Sequence, residues 1–206
     1  MPGAVAATLV VGYLLGSVPV AVLVARARGV DPRRHGDRNP GYWNVKALLG
    51  ARAAIPVFAG DVAKGALAAA AGVLAGLVAG LAAPDRMVLA WVGAAAAMVG
   101  HAWPVFAGFR GGRSILTFVG GMAVWSPRSF AIGVAALLVV WAVTHSFAWG
   151  ARVGVFATPL AVLVVDGIWR TAALGVLLSL IGLRFLLAPR PVEQRGPGAS
   201  DASGGP

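Results

Sequence analysis

The chain has 206 residues, of which 59% are hydrophobic and 12% charged, with a net charge of +10. Soluble domains are about 45–50% apolar and about 25% charged, so the composition excludes a water-soluble globular fold and points to an integral membrane protein. The absence of cysteine excludes disulfides and thiolate metal sites; three histidines and seven scattered carboxylates offer no metal cage, and no cofactor is expected. In so apolar a chain the positive charge is read as attraction to anionic membrane lipid, as an orientation signal and as affinity for a phosphorylated substrate, not for nucleic acid.

Ala4 to Ala25 is uncharged and long enough to cross the hydrocarbon core as a helix. It has no basic leader and is expected to be retained as a helix. Gly16-Ser17-Val18-Pro19 near its end permits close packing and a kink. Residues 26–52 are polar and basic, with too much glycine, proline and asparagine in the middle for a single helix. His35, Asp37, Asn39 and Asn44 cluster there, and Asn39-Pro40-Gly41 reads as a turn. Tyr42 and Trp43 suit the headgroup belt.

Ala53 to Gly60 is apolar but short, and is expected to be re-entrant or interfacial. Asp61 and Lys64 then stand three apart at an expected helix start, where Asp61 caps the helix or pairs with Lys64. Gly65–Ala83 and Met87–Phe106 read as the second and third spans, joined by a turn at Pro84-Asp85-Arg86. Ser114–Trp125 is a short fourth span, and Phe130–Val143 a fifth. Residues 144–152, THSFAWGAR, read as a semi-polar turn. Val153–Val165 and Thr171–Ala188 complete seven spans. The polar tail 189–206 is expected to be disordered and cytoplasmic, beyond a membrane domain of residues 1–188.

The expected fold is therefore an all-α membrane bundle of about seven helices, with the N-terminus outside and the C-terminus cytoplasmic. This orientation leaves only Arg86, Arg128 and Arg170 outside, in agreement with the positive-inside rule. It also gathers three unusual turns (26–64, 109–114 and 144–152) on the cytoplasmic face. The second of these closes the stretch Gly100–Ser114, GHAWPVFAGFRGGRS. The Gly111-Gly112 pair lets backbone approach a ligand, and Arg110 and Arg113 can fork onto phosphate or carboxylate oxygens. Such a loop serves as an anion site or as a basic cytoplasmic turn.

Four ordered blocks carry a resemblance: Gly16-Ser17-Val18-Pro19; His35-Gly36 through Asn39, Gly41 and Asn44; Gly60-Asp61-x-x-Lys64-Gly65; and Gly100-His101-x-x-Pro104-x-Phe106-x-Gly108-Phe109-Arg110-Gly111-Gly112-Arg113. From about Tyr13 to Ala123 the chain resembles the PlsY family of bacterial inner-membrane glycerol-3-phosphate acyltransferases. The resemblance implies seven transmembrane helices around a cytoplasm-facing site. It implies transfer of an acyl group from acyl phosphate to the 1-hydroxyl of glycerol 3-phosphate, giving 1-acyl-glycerol 3-phosphate for phospholipid synthesis. It places Asn39, Asn44 and His101 nearest the chemistry, with His101 positioning the loop or moving a proton. Arg110, Gly111, Gly112 and Arg113 would hold substrate, with Gly41, Lys46, Asp61 and Lys64 in support.

The chain differs from the family pattern at several points. Arg110 and Arg113 stand where the family has lysines, Asp37 replaces a serine and Trp43 a threonine. Ala47 falls where an arginine is usual, beside Lys46. The third turn lacks the usual serines and Arg-Tyr pair, and the family's C-terminal His and Asn have no counterpart after Arg184. A second reading therefore stands beside the enzyme: a paralogue that keeps the fold and binds lipid or anion without catalysing transfer.

Overall fold

The computed structural model describes residues 1–188, so the expected tail 189–206 lies outside the described residues. These residues form helices α1 (Pro2–Gly16), α2 (Val20–Arg26), α3 (Tyr42–Leu49), α4 (Ala51–Val78), α5 (Ala83–Ala102), α6 (Ile115–Trp125), α7 (Pro127–Thr144), α8 (Phe147–Ala161) and α9 (Ile168–Leu186). The protein is a multi-pass membrane protein. Six stretches are long and apolar enough to cross: α1 with α2, α4, α5 with the short 3₁₀ turn after it, α7, α8 with its π-helical end, and α9.

The centre is built from small residues. With lipid on the outside there is little hydrophobic drive between helices, so close backbone packing supplies the contact energy. α4 and α5 lie at the middle, flanked by α1 and α6. A Cβ on Gly65 would strike the Thr117 carbonyl of α6, and one on Gly16 would strike Ala97 of α5. A buried cluster of Ala69, Ala90, Ala94, Met122, Trp125, Val162 and Leu174 joins α4, α5 and α6 to the last two helices. Trp91 donates its indole N–H to the Ala173 carbonyl at 3.1 Å, tying α5 to α9. Opposite-facing large residues, such as Leu67, Leu74 and Phe156, are exposed as lipid contact requires.

Three expectations are corrected. Ala53–Gly60 is not a separate re-entrant piece, because α4 runs unbroken through Pro56. A proline in the second turn of a helix removes one N–H and disturbs only the carbonyl four residues earlier, close to the polar end. Asp61 and Lys64 therefore lie within a long helix, not at its start. The nine-residue turn 144–152 shrinks to His145 and Ser146, because His145 takes a left-handed conformation (φ 52°) and Ser146 caps α8. The first helix breaks at Ser17–Pro19, as the proline demands.

The expected short fourth segment forms a helix, α6, of 11 residues, which rise only about 16 Å, too little to cross the hydrocarbon core alone. Ser114 just before it donates its hydroxyl to the Met98 carbonyl at 2.7 Å. The start of α6 thus sits one turn below the end of α5. This recess is what makes room for a site. At the opposite end of the bundle Asp166 accepts from Ser126 and Ser129 and pairs with Arg170 at 3.0 Å. That cluster pins the start of α7 to the α8–α9 turn.

Candidate functional site

The first loop, residues 27–41, is folded by its own polar groups. Asp31 accepts from the Arg33 side chain at 2.9 and 2.7 Å and from the Arg33 backbone N–H at 3.0 Å. Those side-chain bonds hold the Asp31 carboxyl far below its usual value of 3.8, against a smaller upward push from burial. Arg33 spends a further N–H on the Ala107 carbonyl at 3.1 Å, so the first loop is tied to the loop after α5.

Replacing Asp31 by Asn should cost about 1–2 kcal/mol of stability at neutral pH. Because the folded-state pKa is depressed, the contribution is full above about pH 4. It fades as the pH falls through the lower folded value. Thermal midpoints of wild type and variant should therefore run parallel from pH 8 to 5 and converge in acid; a gap that widens in acid would refute the assignment.

Asn44, buried at the start of α3, underpins the same loop. Its amide donates to the Pro32 and His35 carbonyls at 2.8 and 3.0 Å, and its oxygen accepts from the Asp37 N–H at 3.3 Å. Gly36 passes directly over it in a left-handed conformation (φ 61°). With its amide spent on backbone, Asn44 shapes the loop from below and does not line the hollow. Asn39 does line it. Gly41 is buried beside Asn39 at the N-cap of α3. Lys46 points elsewhere: it is exposed, with its ammonium 5.1 Å from the Trp43 ring. Trp43 is 59% exposed and plugs nothing.

The second loop, residues 103–114, folds back on α5. The Gly112 N–H donates to the His101 carbonyl at 3.1 Å, and Phe109 N–H to the Pro104 carbonyl at 2.9 Å. Tyr13 donates its hydroxyl to the Trp103 carbonyl at 3.0 Å, joining α1 to this loop. A Cβ on Gly111 would collide with the His101 carbonyl and Pro104. Gly111→Ala should therefore displace the loop and lower turnover at least about tenfold while the bundle keeps its thermal midpoint; unchanged kinetics would show that the loop has slack.

Beneath the second loop lies a buried charged group. The Lys64 ammonium is 2.9 Å from Asp61 Oδ1, a close ion pair set off the ideal hydrogen-bond line. Lys64 donates to the Val18 carbonyl at 3.2 Å, exposed by the break between α1 and α2. His101 Nδ1 is 3.5 Å from the same Asp61 oxygen, and its other ring nitrogen lies against Gly112. Asp61, Lys64 and His101 thus hold three elements together under the glycine pair. A void of about 10 Å³ beside them, lined also by Arg110 and Gly112, has room for one water.

Above the loop is a hollow of about 160 Å³ lined by Arg33, Arg38, Asn39, Pro40, Phe109, Arg110, Gly111, Arg113, Arg184, Leu187 and Ala188. Five of these are arginines and none is a carboxylate. Arg113 pairs with Asp37 at 3.2 Å, and its guanidinium carbon lies 4.5 Å from the centre of the Phe185 ring. Arg38 and Arg110 have no ion pair among the described residues. The positive end of the α6 dipole adds to the field at this point. Asp37 stands behind Arg113, which settles its direction: it faces that arginine, not Arg38. The arrangement suits phosphate oxygens at its mouth, with Phe109, Leu187 and Ala188 offering an apolar wall.

A family described as glycerol-3-phosphate acyltransferase matches residues 6–188. The chain belongs to that family. It is 39% identical over 180 residues to the glycerol-3-phosphate acyltransferase of Laribacter hongkongensis, spanning 86% of this chain and 87% of the relative. It is 38% identical over 178 residues to that of Geobacillus kaustophilus, spanning 85% and 86%. Among solved structures it is similar to PlsY (YgiH), an integral membrane glycerol 3-phosphate acyltransferase. The glycerol 3-phosphate form matches with TM-score 0.70 and 28% identity over 87% of each chain. The lysophosphatidic acid form matches with TM-score 0.66 and 27% identity over 86% and 85%.

Within this family fold, the expected Asn39, Arg110, Gly111, Gly112 and Arg113 meet at one hollow or its floor, with His101, Asp61 and Lys64 directly below. Lys46 is not brought there, and the third turn, 144–152, contributes no lining residue. Sequence reasoning alone misses Arg33, Arg38 and Arg184 as lining groups. Arg33 and Arg38 look like generic cytoplasmic charge, and only their place just before Asn39 hints at more.

Proposed function

We propose that the protein transfers an acyl group from acyl phosphate to glycerol 3-phosphate at the inner face of a bacterial plasma membrane. The observation that carries the reading is a hollow walled by five arginines and no carboxylate, on loops of a chain that belongs to the acyltransferase family. Both reactants are phosphate anions, and an acyl phosphate already contains a good leaving group. Cations and backbone donors that orient the two are then the main requirement.

The 1-hydroxyl oxygen of glycerol 3-phosphate attacks the acyl carbonyl carbon and forms the ester bond. The bond from that carbon to the bridging phosphate oxygen breaks, and inorganic phosphate leaves. None of the lining side chains is a histidine or carboxylate, so the hydroxyl proton passes to the departing phosphate. Arg110 and Arg113 hold phosphate oxygens, and Asn39 offers its amide beside them. His101, Asp61 and Lys64 support the glycine pair from below. The basic loops share one end of the bundle, while Arg86, Arg128 and Arg170 lie at the other. This bias favours a cytoplasmic site with the N-terminus outside.

Purified protein in lipid should convert labelled glycerol 3-phosphate to lysophosphatidate with acyl phosphate and fail to do so with the corresponding acyl-coenzyme A. Product from the thioester alone would overturn the donor, and no product from either would overturn transfer.

A further inference from the structure

Arg184 behaves unlike an arginine at the end of a membrane helix. Such a residue normally reaches outward to headgroups or water. Here the side chain turns inward across the loop between α5 and α6. Its Nε donates to the Gly112 carbonyl at 3.1 Å and its Nη2 to the Gly111 carbonyl at 2.9 Å. The guanidinium carbon lies 5.1 Å from the centre of the Trp103 ring, which fixes its plane.

A guanidinium carries five N–H groups. Two are used on the glycine carbonyls, and the rest have no partner among the described residues. Arg184 lines the same hollow as Arg110 and Arg113. No carboxylate pairs with it among the described residues, while Asp37 is already engaged by Arg113. Of the guanidinium groups at this hollow, Arg113 has Asp37 as its one carboxylate and Arg184 has none among the described residues, which leaves uncompensated positive charge there that a bound anion would relieve.

The two carbonyl bonds have a further consequence. A peptide carbonyl facing phosphate repels it, whereas a peptide N–H attracts it. By taking the Gly111 and Gly112 carbonyls, Arg184 holds their negative ends toward itself. The backbone N–H groups of Gly111 and Arg113 donate to nothing among the described residues.

We infer that Arg184 is a third phosphate-binding cation of this site and also the positioning residue that braces the Gly111-Gly112 backbone for it. The inference deepens the acyl-transfer reading and rests on it. The ligand class is a phosphate group of either reactant, taken on the free edge of the guanidinium.

The test compares Arg184→Gln and Arg184→Lys in the full chain. Binding of glycerol 3-phosphate and of inorganic phosphate is measured at equilibrium, alongside thermal midpoint, KM and kcat. Arg184→Gln should weaken both ligands at least about tenfold. Arg184→Lys restores the charge but not the two-carbonyl fork. It should bind within about threefold of wild type while kcat stays at least about tenfold down. Binding by Arg184→Gln within about twofold of wild type would overturn the cation role. Binding by Arg184→Lys as poor as by Arg184→Gln would reduce the residue to a brace and overturn it likewise. Wild-type protein that binds both anions yet transfers no acyl group would refute the transfer reading alone. Wild-type protein that binds neither would refute both.

Discussion

Asp61→Asn should be the most damaging single substitution in the bundle, costing about 3–5 kcal/mol of stability. The carboxylate is only 2% exposed and sits 2.9 Å from the Lys64 ammonium, itself 6% exposed. Removing one member of a buried pair leaves the other charge without compensation, and that penalty exceeds the modest worth of the intact pair. Lys64 keeps only the Val18 carbonyl at 3.2 Å, and His101 loses its one acidic neighbour. The thermal midpoint in detergent should fall steeply. The double variant Asp61→Asn with Lys64→Met should recover much of the loss, because no isolated charge then remains. A single variant as stable as wild type, or a double variant worse than either single, would show that the pair is not compensating buried charge.

That pair also marks where sequence reasoning stops. Apolar stretches of membrane length are visible in composition, so most helices can be placed within a few residues. The Asp61–Lys64 pair reads as a helix start because charges in hydrocarbon are costly and normally mark an end. In the fold the two charges satisfy each other at three-residue spacing and the helix continues through them. The short apolar stretch Ala53–Gly60 before the pair then reads as a piece of its own, although its Pro56, near the helix's polar end, costs a single bond.

The site is legible where one stretch carries it, as in Arg110–Arg113. It is less legible where the role depends on distant packing. Asn44 looks like a ligand group in sequence, yet its amide is consumed by the Pro32 and His35 carbonyls. Arg184 looks like a helix-end anchor, and its partners lie 72 and 73 residues earlier. Trp43 stands where the family has a threonine, yet helix α3 turns it outward, with Lys46 over its ring.

Arg113→Gln should lower kcat/KM for glycerol 3-phosphate by at least about 100-fold, equivalent to about 2.7 kcal/mol. Two charge-assisted hydrogen bonds to phosphate account for a loss of that size, at about 1.5–3 kcal/mol each. Arg113 is held in place from two sides. Phe185 supports its guanidinium face at 4.5 Å, and Asp37 accepts one N–H at 3.2 Å. Asp37 orients the arginine but also offsets its charge, so the two effects oppose each other. With Phe185 already fixing the plane, the charge offset should dominate. Asp37→Asn should therefore tighten glycerol 3-phosphate binding in the wild-type background, and by at least as much when Arg113 is already Gln, because the carboxylate then has no cation beside it. The double-mutant cycle reads this coupling directly. If Asp37→Asn weakens binding as much without Arg113 as with it, the carboxylate acts on the loop and not on the arginine. If it weakens binding only when Arg113 is present, orientation outweighs the charge offset, and Asp37 serves as the arginine's guide.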